Sequence, residues 1–112
     1  MRFRDVADYV DRPDLAPEMP IKGSTAFQLY IDQTLPLLKK TGGDLLFYGA
    51  TDKFLIGPAD ESWDAVMQVR QNSRSVFLAF ASNPSYQDTL AHRTAALRDS
   101  RLLPIFPTAD LC

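Results

Sequence analysis

Cysteine, histidine and tryptophan each occur once in these 112 residues. With Cys112 alone, no internal disulfide can close and no metal site can be built on cysteine spacing. One histidine plus carboxylates is a poor ligand set for zinc, so no metal is expected. The chain also lacks GxGxxG, a phosphate-binding loop, a GxSxG elbow and HExxH, so no cofactor is expected. Nowhere is there a run approaching the roughly 18 apolar residues of a membrane span. The opening "MRFRDVADYV" has no apolar core of signal-peptide length, so the expected location is the cytoplasm, away from membranes. Twelve basic residues against fourteen acidic ones give a charge of -2. That balance offers no field for a phosphate backbone, and nucleic acid is not an expected partner.

What is present is a 46% hydrophobic chain, enough for one domain with a core of its own. Residues 5–23 hold Pro13, Pro17 and Pro20, which remove backbone donors, and read as a long arm or lid whose Val6, Tyr9, Val10, Leu15 and Met19 have something to bury. From Ser24, a predicted cap along with Thr25, the period turns helical, with Phe27, Tyr30, Ile31, Thr34, Leu35 and Leu38 on one face. Pro36 falls on the polar side and Gly42-Gly43 ends the helix. "DLLFYGA" reads as a strand covered on both faces, "KFLIG" as a short second strand or hairpin arm, and "WDAVMQVRQ" as a strand with Trp63, Ala65, Met67 and Val69 on one side. Helices follow over Ser73–Ala81 and, capped by Asn83-Pro84, from Pro84 to about Leu97. "SRLLPIF" reads as a closing edge strand.

This order predicts an α+β, ferredoxin-like βαββαβ plan with helices on one face of an antiparallel sheet. "LLFYGA" and Val66 are too apolar to leave the other face in water, so a second subunit is its expected cover, as a homodimer.

The last helix carries the candidate chemistry. Helical projection places Tyr86, Leu90, Arg93 and Leu97 in one buried stripe, with Arg93 among oily neighbours. A guanidinium there has to meet a carboxylate such as Asp64 or Asp99, snorkel outward, or face an anionic ligand. His92, about 100° round the helix at the margin of the core, is the one side chain that titrates near neutrality without help, hence the proton-transfer candidate; its bland reading is a partly exposed ring bonded to a carbonyl. Tyr30 and Thr34 bring hydroxyls onto the apolar face of the first helix. They are either ordinary core residues with one bond each or, with Arg93, the polar groups of a greasy small-molecule pocket between helices and sheet. Trp63 is a core anchor or the flat wall of that pocket, and Tyr86 lies on the same side. Candidate catalytic residues are thus His92, Arg93 and Tyr30, and candidate ligand-binding residues Arg93, Tyr30, Thr34, Trp63 and Tyr86. The rival is a non-catalytic dimeric interaction module.

The segments "FRDVADY", "AFQLYIDQTLPLLKKTGGDLLFYG", "FLIGPADESWDAVMQVRQ" and "FASNPSYQDTLAHRTAALRDSRLLPI" together resemble a bacterial family close to domain of unknown function thirteen-thirty, in the dimeric α+β-barrel superfamily. The resemblance implies a ferredoxin-like protomer whose sheet packs on its twin's to close a barrel. It also implies a site between sheet and helices, where Arg93, Tyr30 and Thr34 should point. Superfamily members include cofactor-free monooxygenases, haem-degrading enzymes and lactone isomerases, so it fixes no chemistry. The family's first strand is longer than "RFRD".

Overall fold

The computed structural model describes residues 1–106, and Cys112 lies outside them. The fold is mixed α+β. In chain order it contains β1 (Arg2–Phe3), α1 (Gly23–Lys40), β2 (Asp44–Ala50), β3 (Ala65–Arg70), α2 (Arg74–Ala81), α3 (Pro84–Ala96) and β4 (Leu97–Asp99). β1 pairs antiparallel with β4, and β2 antiparallel with β3. The two small sheets meet at Met1, whose nitrogen donates to Ala65 O at 2.9 Å while its carbonyl accepts from Ala65 N at 3.3 Å. β1 therefore runs between β4 and the head of β3.

α1 buries Ala26, Phe27, Tyr30, Ile31, Thr34 and Leu38, the spacing of one helical stripe. Leu35 is half-buried at its margin, and Pro36 sits inside the helix on the exposed side. The helix starts one residue before the Ser24 expected as cap, because Gly23 slots against the backbone of Arg4 and Ala96. Neither Ser24 nor Thr25 caps it; Lys22 holds that position without a side-chain bond. At the other end Gly42 takes φ +83°, a left-handed turn that suits glycine. Ser73 caps α2 through Val76 N and Asn83 caps α3 through Ser85 N, as the sequence suggests.

The core lies between α1 and α3 and the inner side of the strands. Phe27 is fully buried at its centre, its ring 5.5 Å from Phe3, 5.3 Å from Tyr30 and 5.8 Å from Tyr48. All helices cover the same side, and the described residues form a slab of 51 × 39 × 17 Å. The opposite side of β2 and β3 exposes Phe47 and Val66, with Leu46 beside a β-bulge.

Three expected strands differ. "KFLIG" forms no strand; "SRLLPIF" forms none either, β4 being the shorter Leu97–Asp99 just before it; and β3 begins at Ala65, leaving Trp63 in the preceding loop. Short apolar runs become strands only when a neighbour supplies their hydrogen bonds, and these have none among the described residues.

The arm of residues 5–22 is docked, with a 3-10 turn at Pro13–Leu15. Asp8 N donates to Ala95 O, Ala7 N to Ile21 O and Gly23 N to Arg4 O. Of its five apolar candidates only Tyr9 is buried and Leu15 half-buried; Val6, Val10 and Met19 stay exposed, since Tyr9 alone reaches the seam with α3.

Candidate functional site

On α3 the buried positions are Thr89, His92, Ala95 and Ala96. The inward stripe is therefore turned by about one residue from the projected one, which corrects the placement of two candidates. Arg93 is half-buried rather than central, and His92 is buried rather than marginal. The physical reason is the arm. Helical projection assumes one packing partner, but α3 has several, α1, α2 through Phe80 against Tyr86, and residues 5–22, and the arm bonds to His92.

His92 Nδ1 and the Tyr9 hydroxyl are hydrogen-bonded at 2.7 Å, with the rings edge to face at 5.5 Å between centroids. Burial lowers the His92 pKa below its usual value and raises that of Tyr9. Burial disfavours the charged ring, and the bond to Tyr9 makes His92 a partner of the arm. Sequence reasoning missed Tyr9 as that partner, although its place as an aromatic in a proline-rich arm was a usable signal.

Tyr30, Thr34 and Tyr86 do come together, across the α1–α3 seam. The Tyr30 and Tyr86 hydroxyls lie 2.9 Å apart. Thr34 Oγ1 donates to Thr89 Oγ1 at 2.8 Å, and Thr89 Oγ1 donates to Tyr86 O at 2.7 Å. Every hydroxyl of this ladder has a partner within the protein, as buried hydroxyls need. Burial, reinforced by the Tyr86 hydroxyl, pushes the Tyr30 pKa far up, while the positive charge of Arg93 acts weakly the other way. Tyr30 is thus a neutral hydrogen-bonding group within the field of Arg93.

Arg93 Nη2 donates to Ser100 Oγ at 3.3 Å. Neither carboxylate expected to neutralise it does so. Asp99 is engaged by Arg2, at 3.3 Å, and by Arg101, at 2.5 Å, and the hydrogen bond from Arg101 first, then its charge and, last, that of Arg2, hold the Asp99 pKa below the usual carboxylate range. Asp64 accepts from Phe3 N at 2.7 Å. Among the described residues Arg93 has no carboxylate within ion-pair distance.

Trp63 stands apart from the hydroxyl ladder, half-buried, with the guanidinium of Arg2 at 4.4 Å from its ring and that of Arg101 at 5.4 Å. Its ring is a platform for two arginines. Among the described residues, open hollows lie along the arm, one of about 180 Å³ over Leu90 and Ala91, another of about 280 Å³ under Pro17 and Met19. Tyr9 borders both, and neither is lined by Arg93, Tyr30, Thr34 or Trp63. No group of three or more potential metal ligands occurs among the described residues, and no helix there is long and apolar enough to cross a membrane.

No protein-family model and no curated protein matches the chain. Among solved structures it is similar to the crystal structure of RPA0582, a protein of unknown function from Rhodopseudomonas palustris, with 32% identity, a TM-score of 0.78, and coverage of 95% of this chain and 78% of that one. The crystal structure of methylated RPA0582 is similar at 32% identity and a TM-score of 0.77, covering 95% of this chain and 76% of the other.

Proposed function

The chain belongs to the same family as RPA0582, and from that premise we propose that it is a ferredoxin-like protomer of a homodimer that binds a small carboxylate- or carbonyl-bearing molecule through Arg93. The carrying observation is that guanidinium: half-buried, bonded among the described residues to a serine hydroxyl and to no carboxylate, with Asp99 and Asp64 engaged by other groups. A partly desolvated cation without an anion favours one arriving from outside. The paired hydroxyls of Tyr30 and Tyr86 lie in its field and offer a neutral donor to a carbonyl oxygen.

The strand sequence β4-β1-β3-β2, read through the Met1–Ala65 bonds, is the order of a ferredoxin-like sheet and supports that plan, with residues 5–22 as its docked arm. It is also the plan of the dimeric α+β-barrel superfamily, the resemblance carried by the sequence. A sheet with helices on one side only, and Phe47 and Val66 bare on the other, supports a second copy as its cover. His92 is tied to Tyr9 through Nδ1, so the proposal is one of binding.

Thermal-shift screening against carboxylate and aromatic carbonyl compounds tests this reading. A ligand of that class should raise Tm, and Arg93→Met should abolish the shift without lowering the ligand-free Tm. If no compound of the class shifts Tm, or the shift survives in Arg93→Met, the binding reading fails. The second reading, a non-catalytic dimeric module, is favoured by the bare sheet face and survives that failure.

A further inference from the structure

The loop between β2 and β3 is closed at its foot and apolar at its tip. Thr51 N donates to Asp64 O at 3.1 Å, and Thr51 Oγ1 donates to Trp63 O. The tip has a shape of its own. Gly57 takes φ +157°, and a Cβ there would meet Phe54 Cγ at 2.9 Å, so the Phe54 ring is folded back on the glycine. Leu55 and Ile56, between them, stand wholly in solvent. Single exposed apolar residues are ordinary, but two adjacent ones on the crest of a closed loop mark a contact surface. An apolar surface that suits such a tip is the hollow of about 280 Å³ in the arm, walled by Val6, Tyr9, Pro17, Met19 and Ile21. Val6 and Met19 are exposed there, and Glu18 is the one charged residue of the lining.

We propose that the loop tip, residues 54–56, of one copy docks in the arm hollow of a second copy with Lys53 beside Glu18, and that the exchange is reciprocal. The inference rests on the homodimer reading and adds to its bare sheet face a second, separable contact. Size argues for apolar side chains as the occupant, since the hollow is smaller than the roughly 300–1,000 Å³ of small-molecule pockets. Chemistry argues for this tip. Each side is apolar with one charge beside it, the two charges are opposite, and neither Lys53 nor Glu18 has an ion pair among the described residues. Topology argues for the exchange. Arg2 Nε donates to Ser62 O at 2.6 Å and Phe3 N to Asp64 Oδ2 at 2.7 Å, so the returning limb of the loop lies along β1. The arm leaves β1 at the next residue, Arg4, and its hollow opens just beyond, where Ala7 N donates to Ile21 O. Tip and hollow therefore lie at the same end of the sheet, the end toward which β1 runs. At up to about 3.6 Å per extended residue, residues 52–55 carry the tip on the order of 14 Å clear of that end. A two-fold axis passing there seats both tips at once and leaves neither hollow empty. Val6 and Met19, which the docked arm leaves bare, then have something to bury.

The test compares the full chain with Leu55→Asp/Ile56→Asp by sedimentation equilibrium and follows the Met19 methyl signal by NMR as concentration rises. Both replaced side chains are solvent-exposed in the protomer, so the variant should fold, which far-UV circular dichroism checks. Met19→Arg, on the acceptor side, reads the same contact independently. The expected result is self-association at least tenfold weaker in each variant, and a Met19 signal that shifts with concentration in the full chain but not in Leu55→Asp/Ile56→Asp. Glu18→Lys should weaken association about threefold, as a partly exposed ion pair allows, and Glu18→Lys/Lys53→Glu should restore it. Association unchanged in either apolar-site variant, or a Met19 signal indifferent to concentration while the full chain associates, overturns the docking and leaves the sheet-face homodimer standing. A full chain that is monomeric at every concentration overturns both.

Discussion

The hydroxyl of Tyr9 sits 2.7 Å from Nδ1 of His92, joining the arm to the last helix through a bond between two buried side chains. Its neighbours are the main-chain bond from Asp8 N to Ala95 O and the exposed pair of Arg12 and Asp88, 3.8 Å apart. The exposed pair adds little. Tyr9→Phe keeps the ring and removes the hydroxyl, leaving a buried ring nitrogen unpaired, which should lower unfolding stability by about 1–3 kcal/mol. Urea denaturation measures that loss, and limited proteolysis within residues 5–22 should speed up in parallel. A stability change near zero would mean that the arm is held by its backbone alone.

The same pair predicts a pH dependence. Burial lowers the folded-state pKa of His92, so between that value and the unfolded value of about 6.5 the unfolded chain binds the extra proton. Stability is therefore full above about pH 6.5 and falls as the pH drops toward the folded pKa, where protonation would also require Nδ1 to donate. Tm measured from pH 7.5 down to pH 5 should decline through this window. In His92→Gln the decline should flatten, leaving the slope set by the carboxylates at lower pH.

The inner face of α1 was legible from sequence because a single stripe of six residues packs on a single surface, and period alone finds it. The stripe of α3 was not, since α1, α2 and the arm all press on that helix, and the arm, with no period of its own, gives no warning of where it docks. Tyr30, Thr34 and Tyr86 were recognisable as inward hydroxyls, yet their mutual pairing depends on how α1 and α3 register against each other. "KFLIG" and "SRLLPIF" carry strand composition but find no strand partner among the described residues, and composition alone cannot supply one. Trp63 looked like part of β3, but the guanidinium groups of Arg2 and Arg101 hold it in the loop before the strand.

The hydroxyl ladder allows a double-mutant cycle. Thr34→Val removes the donor to Thr89 Oγ1 but leaves Thr89 bonded to Tyr86 O, so a loss of about 1 kcal/mol is expected, the net value of one neutral hydrogen bond. Thr89→Val removes the acceptor as well as the bond to Tyr86 O, and should lose more. The double variant should lose less than the sum of the two, because the Thr34–Thr89 bond is counted in both. Additive losses in chemical denaturation would mean the two hydroxyls act independently.

Gly23 and Gly49 should respond oppositely to alanine. A Cβ at Gly23 would lie 2.2 Å from Arg4 O and 2.7 Å from Ala96 O, both backbone atoms fixed by the meeting of β1, α1 and α3. Neither can move without parting the chain from its neighbours, and Gly23 N itself donates to Arg4 O. Gly23→Ala should therefore lose about 3 kcal/mol or more, at the upper end of overpacking penalties, despite alanine's better helix propensity. A Cβ at Gly49 would instead meet the Phe47 ring at 2.8 Å, a side chain exposed on the single chain that, before any second copy covers it, can give way where a backbone atom cannot. Gly49→Ala should change stability by well under 1 kcal/mol, within the usual range for surface substitutions. Thermal melts of the two variants side by side check the contrast, and equal losses would mean that the junction of arm, helix and strand at Gly23 is looser than its backbone contacts indicate.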